Sequence, residues 1–492
     1  MTSEDAPGMY DPGLAYTTVA QTNLSRLDPT GELLIGGYPV ETLAANATYE
    51  EAVFLLLEGR LPTAEELAQF RSDLGEYRSL PEPVRDTLRA GADSDVEPMA
   101  ALRGGLAAAD LGVDATEPRE TAKRVVAVVP TIVATYWRYR QDEQPIEPDP
   151  ELDHVANYLW MLSGENPTTS QTDALETLCV TLLEHGLDAS SFAARTTVST
   201  DSDIVSAATA AVGALKGDRH AGRFAEAFEL LTAARTAEQP EPLLRDRAAS
   251  GAVPGFGHPV YRTRDPRVAV LSAALERYDP EDASEVHRTI RELESAAGEV
   301  FESGARGREE GDSAGESQRP EITVEFPATA ILDSVGIPPT LFAATFAVAR
   351  SGGWVAHALE GRQSGPLLRP SARYVGDRKS TWTPVENRHT AGDQLLSRPL
   401  RSPSLEPITE TLDVLSEPSR LEILLALYDG DETMAYSALL DATTISDKGR
   451  FNYHLRTLRE YFVSQSEAGY RLTEVGEQLV DAVVTNDRLF TE

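Results

Sequence analysis

Between Pro254 and Arg267 the chain reads Pro-Gly-Phe-Gly-His-Pro-Val-Tyr-Arg-Thr-Arg-Asp-Pro-Arg, which places two glycines, one histidine and three arginines in fourteen residues. Glycines let a backbone approach a ligand closely. Histidine donates or shuttles a proton near neutral pH, and arginine grips carboxylates or phosphates through paired hydrogen bonds. Such a segment suits an anion held beside a proton donor. Taken singly, a histidine on a helix is more often a satisfied structural group, and an arginine a solvated charge. The Gly255-Phe256-Gly257 run is likewise weak as a phosphate loop on its own. The only cysteine, Cys179, sits in the largely apolar run Leu178-Cys179-Val180-Thr181-Leu182-Leu183. It is expected to be a buried, inert thiol. A disulfide within the chain is impossible, a reducing cytoplasm is the expected compartment, and no metal site is expected.

The elements that must position these groups read as mostly helical over residues 1–388. Thr48 to Gly59 shows an N-cap, early acids, an apolar run and a closing glycine, and Pro62 to Leu67 opens another helix in the same way. Alternating strand patterns are scarce. Residues 303–319 are mostly Gly, Ser, Glu and Arg and read as a disordered surface insertion. A polar stretch over 389–405 reads as a linker, followed by a separate unit over 406–492. There Ile408, Leu412 and Leu415, then Leu421, Leu424, Leu425 and Leu427, suit two amphipathic helices. A short helix around Met434 to Leu440 and another over Ser446 to Phe462 follow. Gly469 to Leu472 reads as a return strand, and Thr473 as the cap of a last helix.

With 492 residues, the chain is long enough for more than one domain. No run of eighteen apolar residues suggests a membrane span, and the first twenty residues lack the pattern of a signal peptide. The net charge is −35, from 79 acids against 44 bases. The acids are spread along the chain, so a halophilic solubility adaptation fits better than a face for one basic partner.

The Pro254–Arg267 segment closely resembles the second histidine motif of the citrate synthase family. Several other segments resemble that family in the same order. They are Gly37-Tyr38-Pro39-Val40-Glu41, Phe54 to Pro62, Glu184 to Arg195, Leu215 to Gly222, Gly336-Ile337-Pro338, Ala349 to His357 and Arg369 to Tyr374. The resemblance implies a two-subdomain, all-helical, homodimeric acyltransferase of the citrate or 2-methylcitrate synthase type, with no permanently bound cofactor. It would join acetyl-CoA or propionyl-CoA, as co-substrate, to oxaloacetate. A methyl group beside a thioester is a very weak acid, so such a reaction needs a base, an enolate stabiliser and a polarised ketone. By resemblance His220 faces the thioester oxygen and His258 the ketone. His185, Arg267 and Arg350 hold oxaloacetate, and Arg369 reaches in from a second subunit. Arg262, with Gly255 and Gly257, faces CoA. His357, close to Arg350 in sequence, is expected to be structural.

The chain departs from the family at three places. Glu325, in Thr323-Val324-Glu325-Phe326, stands where the family carries its aspartate base, one methylene longer; Asp333 is out of register to replace it. Ala221-Gly222-Arg223-Phe224 replaces Gly-Gly-Ala-Asn after His220. Asp188 replaces an asparagine near His185.

The last unit resembles a winged helix-turn-helix domain of archaeal regulators, through Gly449-Arg450-Phe451-Asn452-Tyr453-His454-Leu455. From Leu405 to Glu492 there are seventeen acids and seven bases, yet Lys448, Arg450, Arg456 and Arg459 cluster on one helix with His454. DNA contact is expected there, with a protein–protein module as the rival reading. Two functions therefore stand side by side. One is a condensing enzyme with an appended DNA-binding-type domain. The other is a transcriptional regulator whose synthase-like domain senses oxaloacetate, citrate or acyl-CoA with little or no turnover.

Overall fold

The computed structural model describes residues 11, 13, 14, 17–109, 117–250, 253–258, 260–305, 321–372, 374, 382, 417–428, 433–445, 447–459, 462–466, 469–473, 476 and 480. Contacts divide the chain into two units, 1–374 and 375–492. That division lies ahead of the boundary at 388 expected from composition. The expected linker over 389–405 lies outside the described residues, as does 306–319 of the expected insertion. Residues 303–305 are not part of a loop: they complete the helix Pro280–Ala305. Once a helix is nucleated, each further residue adds a hydrogen bond, so short polar residues at its end stay in it.

The first unit is helical apart from a small antiparallel sheet of three strands, β1 (Ser25–Asp28), β2 (Glu32–Ile35) and β3 (Tyr38–Pro39), in sequential order. Helix starts follow their sequence signals. Thr48, Thr63 and Thr168 each close a reciprocal capping box with the residue three positions on, which satisfies two otherwise unpaired amides per helix. Gly59 ends the Tyr49–Glu58 helix in the left-handed conformation. The Phe342–Ser364 helix is apolar around most of its girth, with Phe342, Ala347, Val348, Trp354, Val355 and Ala358 all buried. A helix of that kind belongs in the middle of a core. A β-carbon at Gly353 would meet the Leu183 carbonyl oxygen, so glycine there lets this helix press against the end of the Thr169–Leu182 helix.

The second unit contains the helices Pro418–Tyr428, Tyr436–Asp441 and Lys448–Arg459, then an antiparallel hairpin of β4 (Val463–Ser466) and β5 (Gly469–Leu472). Met434 exchanges both backbone hydrogen bonds with Tyr470 at 2.8 Å, which adds a third rung beside the hairpin. Ile423, Leu424, Leu439, Phe451, Leu455, Leu458, Phe462 and Leu472 form its core. Of the apolar positions expected on the first described helix, Leu424 and Leu427 are buried but Leu425 is exposed; Ile423 takes the inward place. Ile408, Leu412 and Leu415 lie outside the described residues. Thr473 accepts from the Gly476 amide at 3.1 Å, as an N-cap does.

Candidate active site

Three short segments converge on the first unit's polar centre. The turn at 184–188, between the helices Thr169–Leu182 and Ala189–Val198, carries His185 and Asp188. The loop 253–265, ahead of the helix Pro266–Tyr278, carries His258, Tyr261 and Asp265. The helix Phe342–Ser364 supplies Arg350 and Trp354. His185 and His258 meet edge to face with ring centres 5.1 Å apart, and Tyr261 stacks near both. Tyr261 Oη lies 3.1 Å from His185 Nε2.

His258 is held by its own loop. Its Nδ1 accepts from the backbone amides of Val260 (3.1 Å) and Tyr261 (3.2 Å), so a neutral ring carries its proton on Nε2. Burial, then the Arg267 charge, press its pKa down to about 4, which keeps that ring neutral near pH 7. His258 Nε2 and Arg267 Nη2 lie 3.5 Å apart. Both are then donors, so this pairing leaves two N–H groups directed at one place where an oxygen can accept from both. Arg267 is buried and fixed by Asp265 through Nε (3.0 Å) and Nη2 (2.7 Å). Burial works against its cation, but Asp265, helped by Tyr261 and Glu325, holds it charged. Burial also lowers the His185 pKa well below the usual imidazole range, with Arg267 and His258 adding to the effect.

Arg350 is 1% exposed. Its Nε donates to the Leu182 carbonyl at 2.6 Å, its Nη1 pairs with Asp188 Oδ2, and its guanidinium lies over the Phe346 ring. The remaining Nη2 is left for a ligand among the described contacts. Asp188 is that partner, and its other oxygen caps the Ala189–Val198 helix. His220 stands 3.3 Å from Ser190 Oγ and 3.6 Å from Asp188 Oδ1, through Nε2 in both cases.

Glu325 begins the helix Glu325–Ser334 and is half-buried, with Oε2 buried and unpartnered. A backbone zipper joins its approach strand to the His258 loop. Phe256 bridges Ile322, the Gly257 amide donates to the Glu321 carbonyl (3.0 Å), and the Thr323 amide donates to the Gly255 carbonyl (3.0 Å). Asp333 sits exposed at the far end of the same helix.

The residues expected at CoA and from a second subunit differ in their surroundings. Gly255 is buried with φ +80°, and a β-carbon on it would run into the Phe326 ring. Packing within the chain by itself requires that glycine. Gly257, at φ +74°, has open space in front of it. Arg262 is exposed and its amide donates to Pro29 beside β1. Arg369 is exposed after the Phe342–Ser364 helix. In the second unit Lys448, Arg450, Arg456 and Arg459 are exposed, and Tyr453 is 54% exposed. His454 is 6% exposed. It faces inward with Phe451, Leu455 and Leu458, with Arg420 Nε 3.4 Å from its Nδ1, so it does not share the cationic face.

Sequence reasoning passed over Tyr261, Asp265, Ser190 and Trp354. All four lie inside the segments already singled out, and an Asp-Pro start to a helix is the legible sign of Asp265. It also gave His357 no partner. That ring is fully buried and bonds Glu184 Oε1 at 3.0 Å, the same oxygen that accepts from Ser25 Oγ and the Gly186 amide. Cys179 is buried, and burial pushes its thiol pKa far up. Among the described residues no helix is long and apolar enough to cross a membrane, and no group of three or more His, Cys, Asp or Glu could hold a metal ion.

The family model of the citrate synthase C-terminal domain matches residues 13–371, and a domain of unknown function, DUF7347, matches 408–483. The citrate synthase of Haloferax volcanii is 37% identical over 390 residues, covering 76% of this chain and 98% of that protein. The 2-methylcitrate synthase of Shewanella oneidensis is 30% identical over 390 residues, covering 78% and 100%. The solved citrate synthase of Thermoplasma acidophilum, in a ternary complex with carboxymethyl coenzyme A and oxaloacetate, superposes with a TM-score of 0.66 at 26% identity, covering 76% and 98%. The chain belongs to the citrate synthase family and is an acyltransferase of that type.

Proposed function

We propose that the first unit condenses the α-carbon of acetyl-CoA or propionyl-CoA with the ketone carbon of oxaloacetate. Water then cleaves the thioester to release CoA and citrate or 2-methylcitrate. Glu325 takes the proton from the α-carbon. His220 donates to the thioester oxygen as it becomes an enolate. His258 and Arg267 supply the two converging N–H groups for the ketone and its neighbouring carboxylate. Arg350 Nη2 and His185 hold the remainder of oxaloacetate, with Arg369 from a second subunit and Arg262 at the CoA. The observation that carries this reading is the backbone zipper, which ties the unpartnered carboxylate of Glu325 to the loop of His258. A homodimer in a reducing cytoplasm goes with this reading.

Thiol release from each acyl-CoA with oxaloacetate tests it. Wild type should release CoA, and Glu325→Gln should lose about 10²–10⁴ of kcat, as removal of a general base does. No release from wild type with either thioester sinks the enzyme and favours a metabolite sensor. Glu325→Asp withdraws the carboxylate by one methylene and should lose on the order of 100-fold; a gain would show that the Glu325 carboxylate extends past the best position.

A second reading concerns the last unit, which we propose to be a winged helix-turn-helix that contacts DNA. It is favoured by the helix Lys448–Arg459, which keeps four cations outside while its apolar side is buried. Footprinting of the DNA upstream of its own gene, with and without oxaloacetate, should show protection that weakens steeply with salt. No protection in any state argues for a protein partner.

A further inference from the structure

The hydrogen-bond economy around Ser190 Oγ fixes more than the position of His220. That hydroxyl has three neighbours and a single proton. Asp188 Oδ1, 2.6 Å away, can only accept while ionised. Burial would raise the Asp188 pKa, but Arg350 on its other oxygen, with hydrogen bonds from His220 and Ser190, holds it well below the carboxylate range. The proton of Ser190 therefore goes to Asp188. Trp354 Nε1, at 3.0 Å, can only donate to Ser190. With its proton committed, Ser190 Oγ can only accept from His220 Nε2 at 3.3 Å, and the Asp188 charge at 3.6 Å favours a proton at the same atom. A neutral His220 is then an Nε2–H tautomer with a bare lone pair on Nδ1.

We propose that Asp188 is a positioning residue that sets the tautomer of His220, so that His220 Nδ1 donates to an acyl-CoA oxygen only when the ring is an imidazolium. This rests on the reading of His220 as the thioester donor. The charged groups at the ring are Asp188 and, through it, Arg350; Asp218 and Arg219 precede His220 on its own turn, Arg223 lies in the first turn of the next helix, and Phe346 covers the ring edge. An imidazolium hands the developing enolate a stronger donor than a neutral ring does. It also makes turnover depend on a second ring proton. By the resemblance noted above the family carries an amide at this position, which would lack the charge that favours a proton on His220 Nε2.

The test reads the tautomer directly, on the full chain labelled with ¹⁵N-histidine and with the His220 signals assigned from His220→Gln. At a pH where the ring is neutral, wild type should show Nε2–H. Asp188→Ala frees the Ser190 proton for His220 Nε2 and should move the ring toward Nδ1–H. Asp188→Asn keeps an oxygen that can accept the Ser190 proton but removes the charge, so it should move the ring only part of the way, and its capping side chain guards against a folding defect. Wild type in the Nδ1–H form, or both variants still in the Nε2–H form, overturns the assignment. In the thiol-release assay, wild-type kcat should fall about tenfold per pH unit once the ring loses its second proton, and this slope should vanish in Asp188→Ala. An unchanged slope overturns the imidazolium step. Absence of release at every pH overturns the proposed function and with it the catalytic half of the proposal, whereas the tautomer measurement still decides what Asp188 does.

Discussion

His258 and His185 are buried beside fixed arginines, and this sets how the site responds to acid. In the fold His258 takes up a second proton only near pH 4, whereas an unfolded imidazole does so near 6.5. Between these values the unfolded chain binds more protons, so folding stability falls as pH drops through that window. His185 acts in the same direction. His258→Gln should therefore show a shallower loss of melting temperature between pH 6.5 and 4 than wild type, measured by circular dichroism. A parallel loss in both would mean that the ring titrates normally. At this scale the sequence was readable where one segment carries several functional residues, as in His258 with Arg267. It was not readable where partners stand far apart in the chain: Asp188 with Arg350, or Glu184 with His357. His454 shows another limit. Its spacing from Phe451, Leu455 and Leu458 is that of a buried face, but its chemistry groups it with the neighbouring cations.

At the scale of elements, loops bring the chemistry together and helices hold the loops. The helix Phe342–Ser364 carries Arg350, Trp354 and His357 to three different partners, which a periodic apolar pattern does not reveal. Caps and glycine stops were legible because they are local: Thr48 with Glu51 and Gly59 needs no distant partner. Gly255 was not, because its reason is Phe326, more than seventy residues on. Gly255→Ala should strain a left-handed backbone and push the Phe326 ring aside. We expect a loss of about 1–3 kcal/mol in stability, as overpacking gives, visible as a lower melting temperature. Thiol release should fall as well, since Phe326 adjoins Glu325. Wild-type stability in this variant would show that the loop relaxes freely.

The whole molecule carries its −35 charge over two units with separate cores. Self-repulsion of that size weakens a compact state, and salt shortens its range, to about 10 Å at 0.1 M and about 3 Å at 1 M. The melting temperature should rise as KCl is raised from 0.05 to about 2 M, measured by scanning calorimetry. A flat or falling trend would remove the halophilic reading. The zipper between 255–257 and 321–323 has a further consequence at this scale. It works as an interlock: the segment leading to Glu325 and the loop carrying His258 are two sides of one ribbon. Any breathing motion that parts them withdraws both at once. Under the proposed roles, a substitution that unzips this ribbon should therefore displace the carboxylate and the imidazole together.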